Sequence, residues 1–222
     1  MTDDAIITGI RPLPSDPSSR SILVNKRVVG HLREADVESL GLAVDQPWTE
    51  ERAAAVDLAI RINATRKRAL DCLARRALTA DALRDRLVAR DHEADAIDAV
   101  INELIHDGWL DDASFARDRA EALVNRRGAA SAYIARHLEA KQVHPELAAQ
   151  IADEAVADVD AVEAATELIF ANHARWRTLP RSTQMRRAAG LLARRGYDED
   201  VVREALRRCG LDPDAPSEEY DS

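Results

Sequence analysis

The sequence is poor in the residues on which disulfide-bonded, metal-binding and membrane-spanning proteins depend. It has only two cysteines, Cys72 and Cys209, and aromatic residues make up 4% of its 222 positions. Two cysteines without paired histidines nearby make a poor zinc site, and a disulfide is not expected in a reducing compartment. Because no apolar run approaches the roughly 20 residues that cross a bilayer, no membrane span is predicted.

Targeting and catalytic signatures are also lacking. The start, Met1-Thr2-Asp3-Asp4, is acidic, unlike the basic and apolar regions of a signal peptide, so we expect a cytoplasmic protein. The six histidines are scattered, and neither HExxH, Cys-x-x-Cys, GxSxG nor a glycine-rich phosphate loop occurs. The sequence therefore predicts no metal site, no cofactor and no catalytic residue, and hence no enzyme.

Helix-forming residues dominate instead, and the charges occur in alternating blocks. Alanine, leucine and arginine are abundant, and all three favour helices. The net charge of −9 argues against a generic nucleic-acid coat protein. Residues 61–90, 117–141 and 171–195 nevertheless carry net charges of +6, +3 and +7, and they alternate with acidic blocks. The basic blocks recur at a spacing of about 50 residues, as tandem repeats would.

The apolar positions repeat with the same spacing. Leu87, Leu138 and Leu192 align, 51 and 54 residues apart, and each is followed three residues later by a basic residue. Within each unit the apolar residues recur at i, i+3 and i+4 in three successive stretches, which predicts three helices. The predicted fold is therefore mainly α, an elongated tandem array of three-helix repeats preceded by a small N-terminal β segment.

Capping residues place the predicted helix ends. Gly108 fits the left-handed position just past a helix, Asp111 or Asp112 caps the next helix, Pro145 suits a first turn, and Thr49 caps a linking helix that runs to about residue 62. The predicted segments are 1–48 (β-hairpin or small sheet), 49–65 (linking helix), 66–111, 112–157 and 158–209 (three-helix repeats) and 210–222 (disordered acidic tail).

The N-terminal segment has the composition of a small sheet. Short β-rich runs cover residues 5–11, 20–24 and 27–31, and Asn25-Lys26 is a suitable two-residue hairpin turn. A polar, proline-rich stretch lies between the first two runs and is predicted to be a connecting loop; it consists of Pro12, Pro14, Asp16, Pro17, Ser18 and Ser19.

Three segments carry a recognisable pattern. They are the stretch 108–112 (GWLDD) followed by Phe115-Ala116, the stretch 192–197 (LARRGY), and the leucine pair before a basic residue, as in Leu83, Leu87 and Arg90. Together they resemble the RecX family, whose members are tandem three-helix repeats, over roughly residues 66–208. Asp91 and Gln142 occupy places where the family usually has glycine, so their two turns are expected to use a different geometry.

The resemblance implies a function. RecX proteins bind the recombinase RecA and its filament on DNA, lie in the filament groove, and suppress ATP hydrolysis and strand exchange. This chain is thus expected to be a monomeric, non-enzymatic regulator in homologous recombination, DNA repair and the SOS response. Its expected partners are RecA and the RecA–DNA filament, with direct DNA contact left open, and no cofactor is implied.

Two groups of basic residues are the candidate contacts for RecA or DNA, because arginine forms paired hydrogen bonds with both phosphates and carboxylates. The larger group, patch A, comes from a stretch without acidic residues: Arg175, Arg177, Arg181, Arg186, Arg187, Arg194 and Arg195. The smaller group, patch B, consists of Arg126, Arg127, Arg136 and Lys141. The alternative is that these residues pair with neighbouring acidic helices and only make the surface soluble.

A third group of residues is predicted to be structural: one of two aspartates caps a helix, the glycines follow helix ends, Trp109 and Phe115 fill the junction between repeats, and the Tyr197 ring is buried. Its members are Gly108, Trp109, Asp111, Asp112, Phe115, Gly196 and Tyr197. Trp176 lies in a basic segment, where it either packs in the core or contacts a partner.

Two other functional classes compete with a filament regulator. A helical DNA-binding transcriptional regulator would use a three-helix unit as a helix-turn-helix domain, but the acidic total charge and the lack of a short polar recognition helix count against it. A hydrolase is disfavoured because paired catalytic groups are missing.

Overall fold

The computed structural model describes residues 5–211, and helix is its main secondary structure, as predicted. Within this range the chain forms three strands and ten helices: Ile7–Leu13 (β1), Asp16–Val24 (β2), Arg27–Arg33 (β3), Glu34–Ser39 (α1), Glu50–Leu73 (α2), Ala80–Val88 (α3), Ala94–His106 (α4), Asp112–Arg127 (α5), Ser131–Glu139 (α6), Pro145–Val156 (α7), Ala161–His173 (α8), Arg181–Arg194 (α9) and Glu199–Arg208 (α10). The predicted acidic tail falls outside the described residues from position 212 onward. None of the described helices is long and apolar enough to cross a bilayer.

The chain divides between Leu110 and Asp111 into two compact units. The first unit contains the sheet, α1 and the helices α2–α4, and the second contains α5–α7 and α8–α10. In each of these three trios the last helix packs against the other two. Each trio encloses its own cluster of buried apolar side chains, and the sheet forms a fourth cluster with α1 and α2. The three-helix units predicted from the spacing of the apolar residues are thus present.

Helix α2 is continuous where two helices were predicted. The linking helix was expected to end near residue 62, before a first repeat beginning at residue 66, but α2 runs from Glu50 to Leu73. No glycine or proline occurs in this stretch, so nothing interrupts the backbone hydrogen bonds. The Thr49 side chain accepts a hydrogen bond from the Arg52 N–H, which confirms the predicted cap. The one helix α2 therefore packs against the sheet and also forms the first helix of the first trio.

The sheet is antiparallel, with the strand order β1-β2-β3. Asn25 and Lys26 both have positive φ, 47° and 65°, as the predicted two-residue hairpin turn requires. The predicted proline loop is wrong in extent, because β1 continues through Pro12 to Leu13 and β2 starts at Asp16. Proline is tolerated here because Pro12 lies on an edge strand, where one side of the backbone needs no partner.

A polar network joins the sheet to the first trio. Arg66 forms an ion pair with Glu103, in which its Nε donates at 2.7 Å, and it also hydrogen-bonds Asn63. Asn63 and Arg33 both donate to Asp36. Burial acts to raise the pKa of Asp36, but these hydrogen bonds and the nearby arginines outweigh it, so the pKa is lowered. Sheet, α2 and α4 are therefore held together by charge as well as by apolar packing.

Three equivalent turns share one backbone geometry, against expectation. Asp91, Gln142 and Gly196 follow the second helix of each trio and have φ of 61°, 64° and 84°. The expectation of different geometry at Asp91 and Gln142 is therefore wrong, because the left-handed conformation is strained but accessible to other residues. Only at Gly196 does packing also demand glycine, since an added Cβ would lie 2.6 Å from the backbone nitrogen of Tyr133.

The two trios of the second unit are joined at this turn. The Ala130 N–H donates to the Arg195 carbonyl at 2.9 Å, and the Tyr197 hydroxyl donates to the Gly128 carbonyl at 3.1 Å. Burial raises the pKa of Tyr197, so its hydroxyl remains a donor. These contacts fix the start of α6 against the end of α9, and they determine which side chains can meet between the two helices.

Candidate binding site

The arginines of patch A are spread along the whole of α9. Arg175 and Arg177 precede the helix on either side of Trp176, which is only 8% exposed and therefore packs in the core. Arg181 is the first residue of α9 and Arg194 the last, so they lie about 20 Å apart at 1.5 Å per residue. All seven are exposed except Arg195, which is half-buried. The patch therefore provides an extended surface rather than one pocket.

The arginines of both patches are not neutralised internally. The two patches together contain ten arginines, and none of them forms an ion pair with another residue between positions 5 and 211. Arginines of the first unit, in contrast, form ion pairs with carboxylates from other parts of that unit, as Arg61 does with Glu93 and Arg84 with Asp98. Neighbouring acidic helices thus do not hold these cations in the described part of the chain. Their charge is available to an anionic partner.

A groove between α6 and α9 brings the two patches together. It has a volume of about 600 Å³, and Arg136 of patch B and Arg194 of patch A lie on its opposite walls. The remaining lining residues are Tyr133, His137, Ala140 and Ala193, so no acidic side chain lines it. We call it the α6–α9 groove.

Two aromatic rings form one wall of this groove. Tyr133 and His137 lie one turn apart on α6, with ring centroids 6.2 Å apart and planes inclined by only 17°. Arg127 donates from Nη1 to the Tyr133 hydroxyl at 3.0 Å, which places a third cation beside the rings. The pKa of His137 is lowered, first by burial and then by the positive charges of Lys141, Arg119 and Arg127. The groove is therefore electropositive and partly aromatic.

The sequence did not single out Tyr133 or His137 as site residues. Tyr133 lies among the apolar positions of the second repeat, and His137 is one of six scattered histidines. The available signal was local: the two rings are four residues apart, and Arg136 lies beside one of them. Their neighbour Arg194 comes from a helix more than 50 residues later, a proximity that no local pattern reveals.

Arg186 of patch A contributes to a different concavity. It lines a groove of about 470 Å³ between α9 and α10, together with Met185, Ala189 and Leu206. The residues of patch A therefore face at least two grooves, and only Arg194 among them lines the α6–α9 groove.

Most residues of the predicted structural group take structural roles, with two corrections. Gly108 has φ of 74°, and Asp111 caps α5 by accepting from the Ser114 N–H at 2.9 Å, while Asp112 is the first residue of the helix. Phe115 is half-buried against the core of its own trio, α5–α7, so it does not fill a junction between repeats as predicted. Trp109 is 64% exposed and does not fill a junction either, because the backbone turn after Gly108 buries Leu110 instead.

Among the described residues, no group of three or more histidine, cysteine or carboxylate side chains could hold a metal ion. Cys72 is buried and Cys209 half-buried, and both are free thiols; burial raises the pKa of Cys209. The second unit offers exposed arginines, whose guanidinium groups can bind anions.

Comparison with known proteins gives a consistent result. A family model described as RecX, first three-helix domain, matches residues 66–104, which span the end of α2, α3 and most of α4. Two crystal structures share the fold: one of regulatory protein RecX, with a TM-score of 0.74 and 18% identity over 89% of this chain and 96% of that one, and one of RecX from Lactobacillus salivarius, with a TM-score of 0.57 and 20% identity over 68% and 97%.

Sequence relatives agree with the fold. Regulatory protein RecX of Trichlorobacter lovleyi is 33% identical over 142 residues, which cover 63% of this chain and 92% of the relative. Regulatory protein RecX of Streptomyces lividans is 35% identical over 140 residues, which cover 60% and 70%. The chain therefore belongs to the RecX family of regulatory proteins.

Proposed function

We propose that this RecX-family chain binds RecA and its filament on DNA and inhibits ATP hydrolysis and strand exchange, and so regulates recombination and the SOS response. The observation that carries the proposal is the set of ten arginines in the second unit that form no ion pair within residues 5–211. A nucleoprotein filament presents phosphates and protein carboxylates side by side, and guanidinium groups bind both.

The distribution of charge suits such a partner better than the total charge does. Residues 171–195 carry seven arginines and no acidic residue in a chain of net charge −9. A local positive surface steers association with a polyanion even when the whole molecule is acidic. The spread of patch A along α9 suits a long partner surface, since it presents cations over about 20 Å.

The direct test is a titration of RecA's ATPase on single-stranded DNA with the purified chain. We expect inhibition at a molar ratio near or below one. Replacing Arg186, Arg187 and Arg194 with glutamate should raise the half-inhibitory concentration about tenfold or more, because each exposed charge contributes roughly 0.5 kcal/mol. Arg195 is left intact because it is half-buried at the turn that joins the two trios, where a new side chain would also disturb packing.

A matched control changes the net charge by the same amount elsewhere. Arg203, Arg207 and Arg208 form exposed ion pairs with glutamates of their own helix, α10, and their replacement with glutamate should leave inhibition nearly unchanged. Circular dichroism and thermal melting establish that both variants fold. Equal inhibition by the wild type and the α9 variant would refute the role of the patch, and binding to bare duplex DNA with no effect on RecA would indicate a transcriptional regulator instead.

A further inference from the structure

The α6–α9 groove combines two kinds of recognition element. One is cationic: Arg136 and Arg194 lie on its opposite walls, and the Arg194 side chain forms no hydrogen bond or ion pair with any other residue in the range 5–211. The other is flat and aromatic: Tyr133 and His137 present nearly parallel rings, and Arg127 holds the Tyr133 hydroxyl. A ligand that satisfies both must carry negative charge and a planar ring.

The groove is also large enough for such a ligand and not blocked by the protein's own anions. Its volume of about 600 Å³ lies within the range of roughly 300–1,000 Å³ that is usual for small-ligand sites. None of its lining residues is acidic. An arginine without an anionic partner in a concave surface favours binding of a phosphate or carboxylate from outside.

We infer that the α6–α9 groove binds single-stranded nucleic acid directly, with a base against the Tyr133 and His137 rings and the flanking phosphates on Arg136 and Arg194. Stacking platforms beside cationic grooves are the general means by which proteins hold unpaired strands. The inference deepens the proposed function, on which it rests for the choice of surface, but it concerns a contact that the chain makes without RecA.

The alternatives lack one of the two elements. A duplex offers phosphates, but its bases are stacked on one another and their faces are not available to a protein ring. An acidic peptide offers carboxylates to the arginines but no ring for Tyr133. An unpaired strand supplies both, and its flexible backbone can place a base between the walls.

The experiment measures binding of a fluorescein-labelled 20-nucleotide oligothymidylate to the full chain, by anisotropy, over a series of salt concentrations and without RecA. Changing Tyr133 to leucine should weaken binding about fivefold to a hundredfold, since each stacked base contributes that much, while the salt dependence is unchanged. Changing Tyr133 to phenylalanine retains the ring and should restore the wild-type affinity.

The arginines are tested by the salt dependence itself. The double change of Arg136 and Arg194 to glutamine should make the slope of log K against log salt less negative by about 1.4, because each phosphate contact to a single strand contributes about 0.7. The matched control changes Arg203 and Arg208 of α10, which belong to neither patch and do not line the groove, to glutamine. It should leave slope and affinity close to those of the wild type.

Three probes complete the design. An abasic strand with the same number of phosphates should bind the wild type only as tightly as oligothymidylate binds the Tyr133-to-leucine variant. A 20-base-pair duplex should bind the wild type and the Tyr133-to-leucine variant with equal affinity. If the abasic strand or a polyglutamate peptide bound the wild type as tightly as oligothymidylate, the inference would be wrong. It would also fail if the Tyr133-to-leucine variant or the double arginine variant bound oligothymidylate as tightly as the wild type.

The inference and the proposed function can fail separately. Wild-type protein that inhibits RecA's ATPase but does not bind oligothymidylate would refute the groove assignment and leave the proposed function intact. Binding that depends on Tyr133 and Arg194, without any effect on RecA, would support the groove and refute the regulator.

Discussion

Replacing Gly196 with alanine tests how the two trios of the second unit are joined. The residue has φ of 84°, and an added Cβ would lie 2.6 Å from the nitrogen and 2.9 Å from the Cβ of Tyr133. The left-handed conformation costs a non-glycine residue about 1–2 kcal/mol, and overpacking against backbone costs about 1–3 kcal/mol more. We therefore expect the free energy of unfolding of the second unit to fall by about 2–5 kcal/mol.

The assay must report on the second unit alone. Trp176 is buried there, whereas Trp48 and Trp109 belong to the first unit. In a background with Trp48 and Trp109 changed to phenylalanine, urea denaturation followed by tryptophan fluorescence therefore measures the unit that contains Gly196. The midpoint and slope of the transition give the change in free energy.

Gly210 provides the matched control in the same unit. Its φ is 70°, but an added Cβ would meet nothing within 4 Å. Its replacement by alanine should cost only the conformational part, at most about 1–2 kcal/mol. If the Gly196 variant lost no more stability than the Gly210 variant, the close contact with Tyr133 would not contribute to joining the trios, and the reasoning from the Cβ position would be refuted.

Three further perturbations test other parts of the fold. Changing Gln142, which has φ of 64°, to glycine should stabilise the second unit by about 0.5–1 kcal/mol in the same urea assay, whereas glycine in place of Ala149, an exposed residue inside α7, should destabilise it by about 1 kcal/mol. Changing Glu103 to glutamine leaves the Arg66 charge, 13% exposed, without its counter-ion, and should cost the first unit about 1–3 kcal/mol as measured by Trp48 fluorescence; no loss would show that the pair is dispensable. Because the pKa of Asp36 is lowered below its ordinary 3.8, its ionised form stabilises the folded state above that pH, and this stability is lost as the pH falls below it. The wild type should therefore lose stability more steeply than the Asp36-to-asparagine variant over that acidic range, and parallel pH profiles would contradict the assignment.

The sequence predicted the helices well wherever periodicity and capping residues agreed. Asp111 caps α5 and Pro145 opens α7 as expected, because both effects depend on residues within one turn of the helix end. Helix α1, Glu34–Ser39, was not predicted, because six residues with one buried side chain, Val37, give no periodic signal. The predicted helix end near residue 62 is wrong, because α2 changes its packing partner along its length without a break in its backbone.

The candidate site was predictable only in part, since composition shows which charges exist but not which ones meet. The run of arginines in residues 171–195 indicated a basic surface, yet it did not show that Arg194 would face Arg136 while Arg186 faces α10. Those pairings depend on how α9 is seated against α6. The seating is fixed by contacts such as that of Ala130 with Arg195, which join residues far apart in the chain.

The same seating explains why one of the three equivalent turns has less freedom than the others. Asp91 and Gln142 show that the left-handed turn forms without glycine, at the cost of some strain. At Gly196 the turn has a second role, because the backbone of Tyr133 lies where a side chain would begin. Tyr133 is also the ring that lines the α6–α9 groove. A side chain at position 196 would therefore displace the start of α6 and, with it, the aromatic wall opposite Arg194, so the packing of the repeats and the shape of the groove depend on the same missing Cβ.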